Sequence, residues 1–148
     1  MVSKISREEF EFSHTLRVRY AESDPQGIVF NANYLVYFDV AITEYFRAHG
    51  LPYGESVSAH EIDFHVVHTS IDYKAQAHFD EKLDIFVKGS YSGVKITWKI
   101  AIFREKVLIC SGILIYAAVD TKTGNLKRID SHLAGILKLE HKSDRVWD

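Results

Sequence analysis

The segment that most restricts the possible folds is an apolar stretch that the residue spacing predicts to be one long helix ending at Gly50. Apolar side chains at three- and four-residue steps lie on one helical face, and here they are Tyr34, Tyr37, Phe38, Ala41, Tyr45 and Ala48. Most of the remaining helical surface is apolar too, because only Asp39, Thr43 and Arg47 form a polar stripe. A helix that is apolar nearly all round is usually buried. We therefore expect other elements to wrap around it.

The residues before the helix combine a turn with a carboxylate. Proline fixes φ and glycine tolerates a positive φ, so the sequence Asp24-Pro25-Gln26-Gly27 has turn chemistry. Either Asn31 or Asn33 offers a helix cap. A helix N-terminus presents unpaired N–H groups and a partial positive charge. The sequence thus predicts that Asp24 lies between a strand end and backbone donors suited to acyl-group hydrolysis.

Most of the other predicted strands alternate apolar and polar residues, whereas residues 107–119 are apolar on both faces, as in a central strand. The predicted strands are residues 12–20, 64–77, 83–88, 95–104 and 107–119. The sequence predicts a connection at residues 51–60 and hairpin turns at residues 92–93 and 104–106. It also predicts a short helix at residues 132–139. His14 lies on the apolar side of the first strand and is expected to be a core histidine. This order fits a curved antiparallel sheet around the helix, although periodicity alone also permits an α+β roll of another topology.

Composition excludes several classes of protein. The 148 residues suit one domain spanning 1–148, and a net charge of −2 favours neither nucleic acid nor an anionic membrane as a partner. The single cysteine, Cys110, cannot form an intramolecular disulfide, which favours a reducing compartment. We find no signal peptide and no membrane-spanning apolar run, so we expect a cytoplasmic protein. The eight histidines lack a zinc spacing, so neither metal nor cofactor is expected.

Two stretches resemble a known family. The first is carried, in this spacing, by Tyr20, Glu22, Asp24, Gly27, Ile28, Val29, Asn33 and Tyr34. The second is carried by Tyr73, Ala77, Asp80, Glu81 and Leu83, with Gln76 where proline is common. Together they resemble the hotdog-fold acyl-CoA thioesterases, and most closely the 4-hydroxybenzoyl-CoA thioesterase family. The resemblance implies an α+β hotdog fold, in which an antiparallel five-stranded sheet wraps around one long central helix.

The resemblance also implies an enzyme and its site. The activity would be hydrolysis of an acyl-CoA thioester, with Asp24 as nucleophile or general base and the backbone N–H of Asn31 polarising the carbonyl. Relatives often have His or Tyr where this chain has Asn31, but the implied role uses the backbone. Further implied contacts are Gly27, Ile28, Val29, Phe30 and Tyr34 for the acyl group, and Lys74 and Lys88 for the CoA phosphates.

Other interpretations remain open. An acyl-carrier-protein thioester is an alternative substrate, since the chemistry is the same, and a protein that binds acyl-CoA without turnover is a second alternative. A hotdog hydratase is disfavoured because no histidine lies between His14 and His49. In the least informative alternative, Asp24 only makes a turn in a structural domain. Unpaired sheet edges favour partner chains, and the resemblance implies a homodimer or homotetramer with the site at a subunit interface.

Overall fold

A computed structural model describes residues 4–142, apart from the side chains of residues 55 and 56. Two short 3₁₀ turns, Arg7–Glu9 and Tyr20–Glu22, flank the first strand. The helices and strands of the described range are, in chain order, β1 (Phe12–Arg17), α1 (Asn33–Ala48), α2 (Glu55–Ser58), β2 (Ile62–Tyr73), β3 (Lys82–Ser92), β4 (Lys95–Arg104), β5 (Val107–Asp120), α3 (Ser131–Ile136) and β6 (Glu140–His141).

The strands form one curved sheet that carries the long helix. The strand order is β1-β3-β4-β5-β2, and all four of these pairings are antiparallel. The two-residue β6, which the sequence did not predict, adds to β3 in parallel beyond the end of β1. The predicted hotdog architecture, a sheet of several antiparallel strands packed against one long helix, is confirmed.

Both predicted hairpins form with two-residue loops. Ser92 pairs with Lys95 around Gly93, whose φ is +60°. Arg104 pairs with Val107 around residues 105–106. Because β3, β4 and β5 follow one another through these hairpins, they make the continuous centre of the sheet.

The helix α1 is buried on one face only, so the expectation of burial all round is wrong. The buried face consists of Tyr34, Tyr37, Phe38, Ala41, Ile42, Tyr45 and Phe46. On the other side Leu35 and Val36 are 39% and 48% exposed. The predicted side-chain cap is also wrong, because Ala32 occupies the cap position and makes no side-chain hydrogen bond.

The sheet separates two apolar clusters. Side chains alternate between the two faces of a strand, so Ile85 and Ile102 pack under the helix while their neighbours Phe86 and Phe103 face outward. The N-terminal segment, residues 4–10, covers this outer cluster, with Phe10 as its main apolar contact. The larger cluster under α1 is the core that positions the helix N-terminus.

Several predicted boundaries and burials need correction. β1 ends at Arg17, and Tyr20 lies in the following 3₁₀ turn with 80% of its surface exposed. His14 is half-buried and does not belong to either core cluster. The connection at residues 51–60 contains α2, and β3 continues four residues beyond its predicted end. None of the helices described is long and apolar enough to span a bilayer.

Candidate active site

The predicted turn at Asp24 is present and is closed by local hydrogen bonds. The N–H of Gly27 donates to the carbonyl of Asp24 at 2.9 Å, and the N–H of Asp24 donates to the carbonyl of Ile28 at 2.8 Å. Gly27 has φ +81°, a conformation that glycine adopts without strain. The positive φ at Gly27 is the reason why the turn needs a glycine at this position, as the sequence predicted.

The turn also fixes the Asp24 side chain. Its Oδ1 atom accepts a hydrogen bond from the N–H of Gln26 at 2.8 Å. No donor in the described part of the chain bonds the other carboxylate oxygen. The half-buried side chain is thus held in one orientation while one oxygen remains free for another partner.

The segment after the turn pairs with the connection between β2 and β3. The N–H of Val29 donates to the carbonyl of Ala77 at 2.8 Å, and Ile28 forms an antiparallel bridge with His78. Val29 is buried, whereas Phe30 is about half exposed. The turn is consequently attached to the sheet as well as to the helix.

Two backbone donors remain free just before the helix. The first three helical N–H groups, at residues 33–35, donate to carbonyls three residues earlier at 2.9–3.4 Å. The N–H groups of Asn31 and Ala32 bond no acceptor within residues 4–142. Asn31 lines the cavity that also contains Asp24. An N–H group at a helix N-terminus that lacks an acceptor is suited to bind an anionic or carbonyl oxygen.

The cavity between these groups has a volume of about 350 Å³. Of the residues predicted to contact the substrate, it brings together Asp24, Ile28, Val29, Phe30, Asn31 and Tyr34. Gly27 does not line the cavity and acts through the backbone of the turn. The lining residues to which the sequence analysis assigned no role are Gln26, Tyr73, Ala75 and Gln76.

Tyrosine rings, those of Tyr34 and Tyr73, line part of the cavity. The ring of Tyr34 lies 5.8 Å from that of Tyr73 and 5.9 Å from that of Tyr37, both in edge-on arrangements. Tyr73 donates its hydroxyl to the carbonyl of Asn31 at 3.2 Å. Burial raises the pKa of Tyr34, whose hydroxyl accepts a bond from the N–H of Ala77. The Tyr34 hydroxyl is therefore neutral at physiological pH.

The two predicted phosphate contacts lie in different places. Lys74 is exposed and directly follows Tyr73, so it lies beside the cavity. Lys88 lies on the outer face of the sheet, where its ammonium pairs with Glu9 at 2.8 Å, and it lines a separate cavity. The structure therefore does not bring Lys88 to the Asp24 cavity.

Glu22, two residues before Asp24, is 8% exposed. Burial would raise its pKa, but hydrogen bonds from the N–H and guanidinium of Arg19 and from the hydroxyl of Tyr37 hold the pKa below its usual value. Glu22 is one of the residues that carry the family resemblance, but the sequence did not predict that its side chain would be buried and hydrogen-bonded.

Within residues 4–142 no group of three or more His, Cys, Asp or Glu side chains is arranged to hold a metal ion.

Comparisons of the sequence with known proteins identify a family. The profile of the family described as Thioesterase superfamily matches residues 26–111. A putative esterase of Aquifex aeolicus is 25% identical over 128 residues, which are 86% of this chain and 98% of the relative. The acyl-CoA thioesterase YbgC of Haemophilus influenzae is 29% identical over 110 residues, which are 74% of this chain and 81% of the relative.

Solved structures share the fold. A hypothetical protein of Thermus thermophilus superimposes with a TM-score of 0.79 at 27% identity, covering 86% of this chain and 98% of that one. A 1,4-dihydroxy-2-naphthoyl-CoA thioesterase of Synechocystis superimposes with a TM-score of 0.78 over 86% of this chain and 95% of its own, at 17% identity. At that identity the second likeness establishes the fold alone.

Proposed function

We propose that the chain, which belongs to the Thioesterase superfamily, hydrolyses acyl-CoA thioesters to the free acid and CoA. One observation carries the proposal: the same cavity is lined by Asp24, with one unbonded carboxylate oxygen, and by Asn31, whose N–H lacks an acceptor in the described chain. Thioester hydrolysis needs a base or nucleophile and a donor for the developing oxyanion. We further propose that residues 1–148 form one hotdog thioesterase domain, located in the cytoplasm.

In this mechanism the thioester carbonyl oxygen accepts a hydrogen bond from the N–H of Asn31. The partial positive charge at the N-terminus of α1 adds to the stabilisation of negative charge on that oxygen. As a general base, Asp24 takes a proton from water while the water oxygen bonds to the carbonyl carbon. The tetrahedral intermediate then collapses, the C–S bond breaks, and the CoA thiolate leaves and is protonated.

A nucleophilic role for Asp24 is the alternative route. Its free oxygen would then bond to the carbonyl carbon and expel the CoA thiolate, leaving a mixed anhydride that water hydrolyses. Both routes require an ionised Asp24, and both use the Asn31 donor in the same way. Ile28, Val29, Phe30 and Tyr34 would contact the acyl group, with Lys74 as the phosphate contact that lies beside the cavity.

The proposed assembly is a homodimer with the site at the subunit interface. β2 is an edge strand of twelve residues, and within the described chain it pairs only with β5. Val66 and Val67 on this strand are 56% and 54% exposed, and α1 exposes Leu35 and Val36. Unpaired strand edges with exposed apolar side chains favour pairing with another chain. Tetramerisation of two such dimers is the next level of assembly.

The proposal is tested by CoA release from a panel of aromatic and aliphatic acyl-CoAs. The wild type is compared with Asp24→Asn and with the control Asp84→Asn, whose carboxylate bonds only the Thr15 hydroxyl among described residues. We expect turnover by the wild type, a loss of about a hundredfold or more in Asp24→Asn, and little change in the control.

Two details keep this assay interpretable. Burial raises the pKa of Cys110 to about 12, so the native protein itself contributes little signal to a thiol reagent. Each acyl group is also presented on an acyl-carrier protein, and faster release from the carrier would change the proposed substrate. If the wild type and Asp24→Asn both bind acyl-CoA without hydrolysing any of it, the enzyme assignment fails and the chain is an acyl-CoA-binding protein.

A further inference from the structure

We infer that Glu22 is a positioning residue, which together with Tyr37 holds the segment carrying Asp24 and Asn31 in its reactive arrangement. This inference rests on the proposed function, since it assigns a role within the same site. It starts from burial: Glu22 and Ser111 are the buried polar side chains of the described residues, and only Glu22 carries a charge. Burying a carboxylate is costly unless it is fully hydrogen-bonded.

Both carboxylate oxygens of Glu22 are engaged. Oε1 accepts hydrogen bonds from the N–H of Arg19 at 2.7 Å and from the hydroxyl of Tyr37 at 2.9 Å. Oε2 accepts from the Nε of Arg19 at 3.1 Å and lies 3.1 Å from a second guanidinium nitrogen. The side chain is therefore unsuited to act as the catalytic base, and it connects the turn before Asp24 to the buried face of α1.

The backbone carbonyl of Glu22 makes a second set of contacts. It accepts hydrogen bonds from the N–H of Phe30 at 3.0 Å and from the side-chain amide of Asn33 at 2.9 Å. Phe30 directly precedes Asn31, the proposed oxyanion donor, and Glu22 lies two residues before Asp24. Glu22 thus precedes one end of the segment that separates the carboxylate from the donor, and its carbonyl bonds the other end at Phe30.

This arrangement favours a role in geometry over a role in stability alone. The ionic partner of Glu22, Arg19, has 76% of its side chain exposed, and an ion pair with an exposed partner contributes little to stability. The hydrogen bonds of Glu22 are directional, however, and a displacement of about 1 Å in a reacting group can reduce a rate by on the order of a hundredfold. Glu22 and Tyr37 act as a pair on the reaction through Asp24 and Asn31, without touching the substrate.

The test compares Glu22→Gln and Tyr37→Phe with the wild type in two measurements. Glutamine keeps the shape but places an N–H donor among groups that already donate, while phenylalanine removes one bond and leaves the ring. We expect kcat to fall at least about tenfold in each variant, with KM within about threefold of the wild type. We also expect the amide of Phe30 to exchange with deuterium at least about tenfold faster.

Two controls separate this role from general destabilisation. The amide of Trp98, in the centre of the sheet, should exchange as in the wild type. Tyr45→Phe removes another buried hydroxyl of the same helix, one that donates to the carbonyl of Leu137 at 2.6 Å. It should leave both kcat and the Phe30 amide unchanged, because Tyr45 is two turns away from Tyr37.

Each remaining outcome is decisive. Wild-type kcat in Glu22→Gln and Tyr37→Phe, with wild-type turnover present, would overturn the positioning role while the proposed function stands. Faster exchange throughout the chain, including Trp98, would overturn it in favour of a purely structural role. If the wild type releases no CoA, the proposed function fails, and the exchange of the Phe30 amide still decides whether the pair holds the segment.

Discussion

The ring of Phe38 lies so close to the backbone of Gly112 that a β-carbon on Gly112 would stand 2.5 Å from the ring and 2.7 Å from the carbonyl oxygen of Ser70. Phe38 is completely buried and the Ser70 carbonyl belongs to the sheet backbone, so relief of these contacts requires the core or the sheet to shift. We expect Gly112→Ala to lower the free energy of unfolding by about 1–3 kcal/mol, the usual cost of overpacking a core. Urea unfolding at neutral pH measures this change.

A second glycine provides the matched control. Gly135 lies in α3, and a β-carbon there would meet no atom within 4 Å. Gly135→Ala should raise the free energy of unfolding by up to about 1 kcal/mol, because alanine is the better helix former. Combining Gly112→Ala with Phe38→Leu should recover part of the lost stability. Equal stabilities of Gly112→Ala and the wild type would contradict the close packing of helix and sheet.

The oxyanion role that we propose for Asn31 uses its backbone N–H and can be tested separately from its side chain. Asn31→Ala keeps the N–H group, and we expect its kcat to stay within about threefold of the wild type. Asn31→Pro removes the N–H group, and we expect a loss of about 10²–10³ in kcat. Thermal unfolding of both variants checks that the fold is kept. A large loss in Asn31→Ala would show instead that the side-chain amide takes part.

Residue spacing predicted the fold and the turn well, for identifiable reasons. The apolar face that includes Phe38 repeats with a helical period, and the side chains of β4 alternate, so both elements follow from local patterns. Asp24 and Gly27 are residue types that the turn requires. A candidate site at one helix end could be proposed from the sequence because these signals are adjacent in it.

What could not be predicted depends on contacts between distant residues. Tyr73 and Gln76 reach the cavity only because the connection between β2 and β3 pairs with the Asp24 segment. The residues around Lys88 in the sequence do not indicate that it forms an ion pair. Glu9 reaches its ammonium only because the N-terminal segment folds onto the sheet. Leu35 and Val36 are apolar but exposed, because helix burial is decided by which side meets the sheet. The buried bond between Glu22 and Tyr37 is likewise a property of the folded chain.

The proposed dimer interface is tested by placing a charge on the exposed edge strand. Val66→Lys should shift the protein towards monomer in light scattering, because a buried unpaired ammonium opposes association. Val107→Lys is the control, since Val107 is 45% exposed but lies at the β4–β5 hairpin. If the site needs both subunits, activity should fall with the dimer fraction. An unchanged mass in Val66→Lys would contradict an interface at β2.

The N-terminal segment provides a pH-dependent test of stability. The carboxylate of Glu9 accepts hydrogen bonds from Lys88 at 2.8 Å and from Lys99 at 3.0 Å. Burial alone would raise the pKa of Glu9, but these bonds lower it to about 2 from an ordinary value of 4.5. Because the folded pKa is the lower one, the contribution of Glu9 is fully present above pH 4.5 and is lost as the pH falls towards 2.

We therefore expect Glu9→Gln to lower the free energy of unfolding by about 1 kcal/mol at pH 7, the upper end for a partly exposed ion pair. The difference from the wild type should shrink steadily between pH 4.5 and pH 2, the window set by the two pKa values of Glu9. Urea unfolding across this range measures it. Glu11→Gln is the control, because Glu11 is exposed and forms no ion pair within residues 4–142. If the two variants lose equal stability at pH 7, the contacts of Glu9 do not hold the N-terminal segment on the sheet.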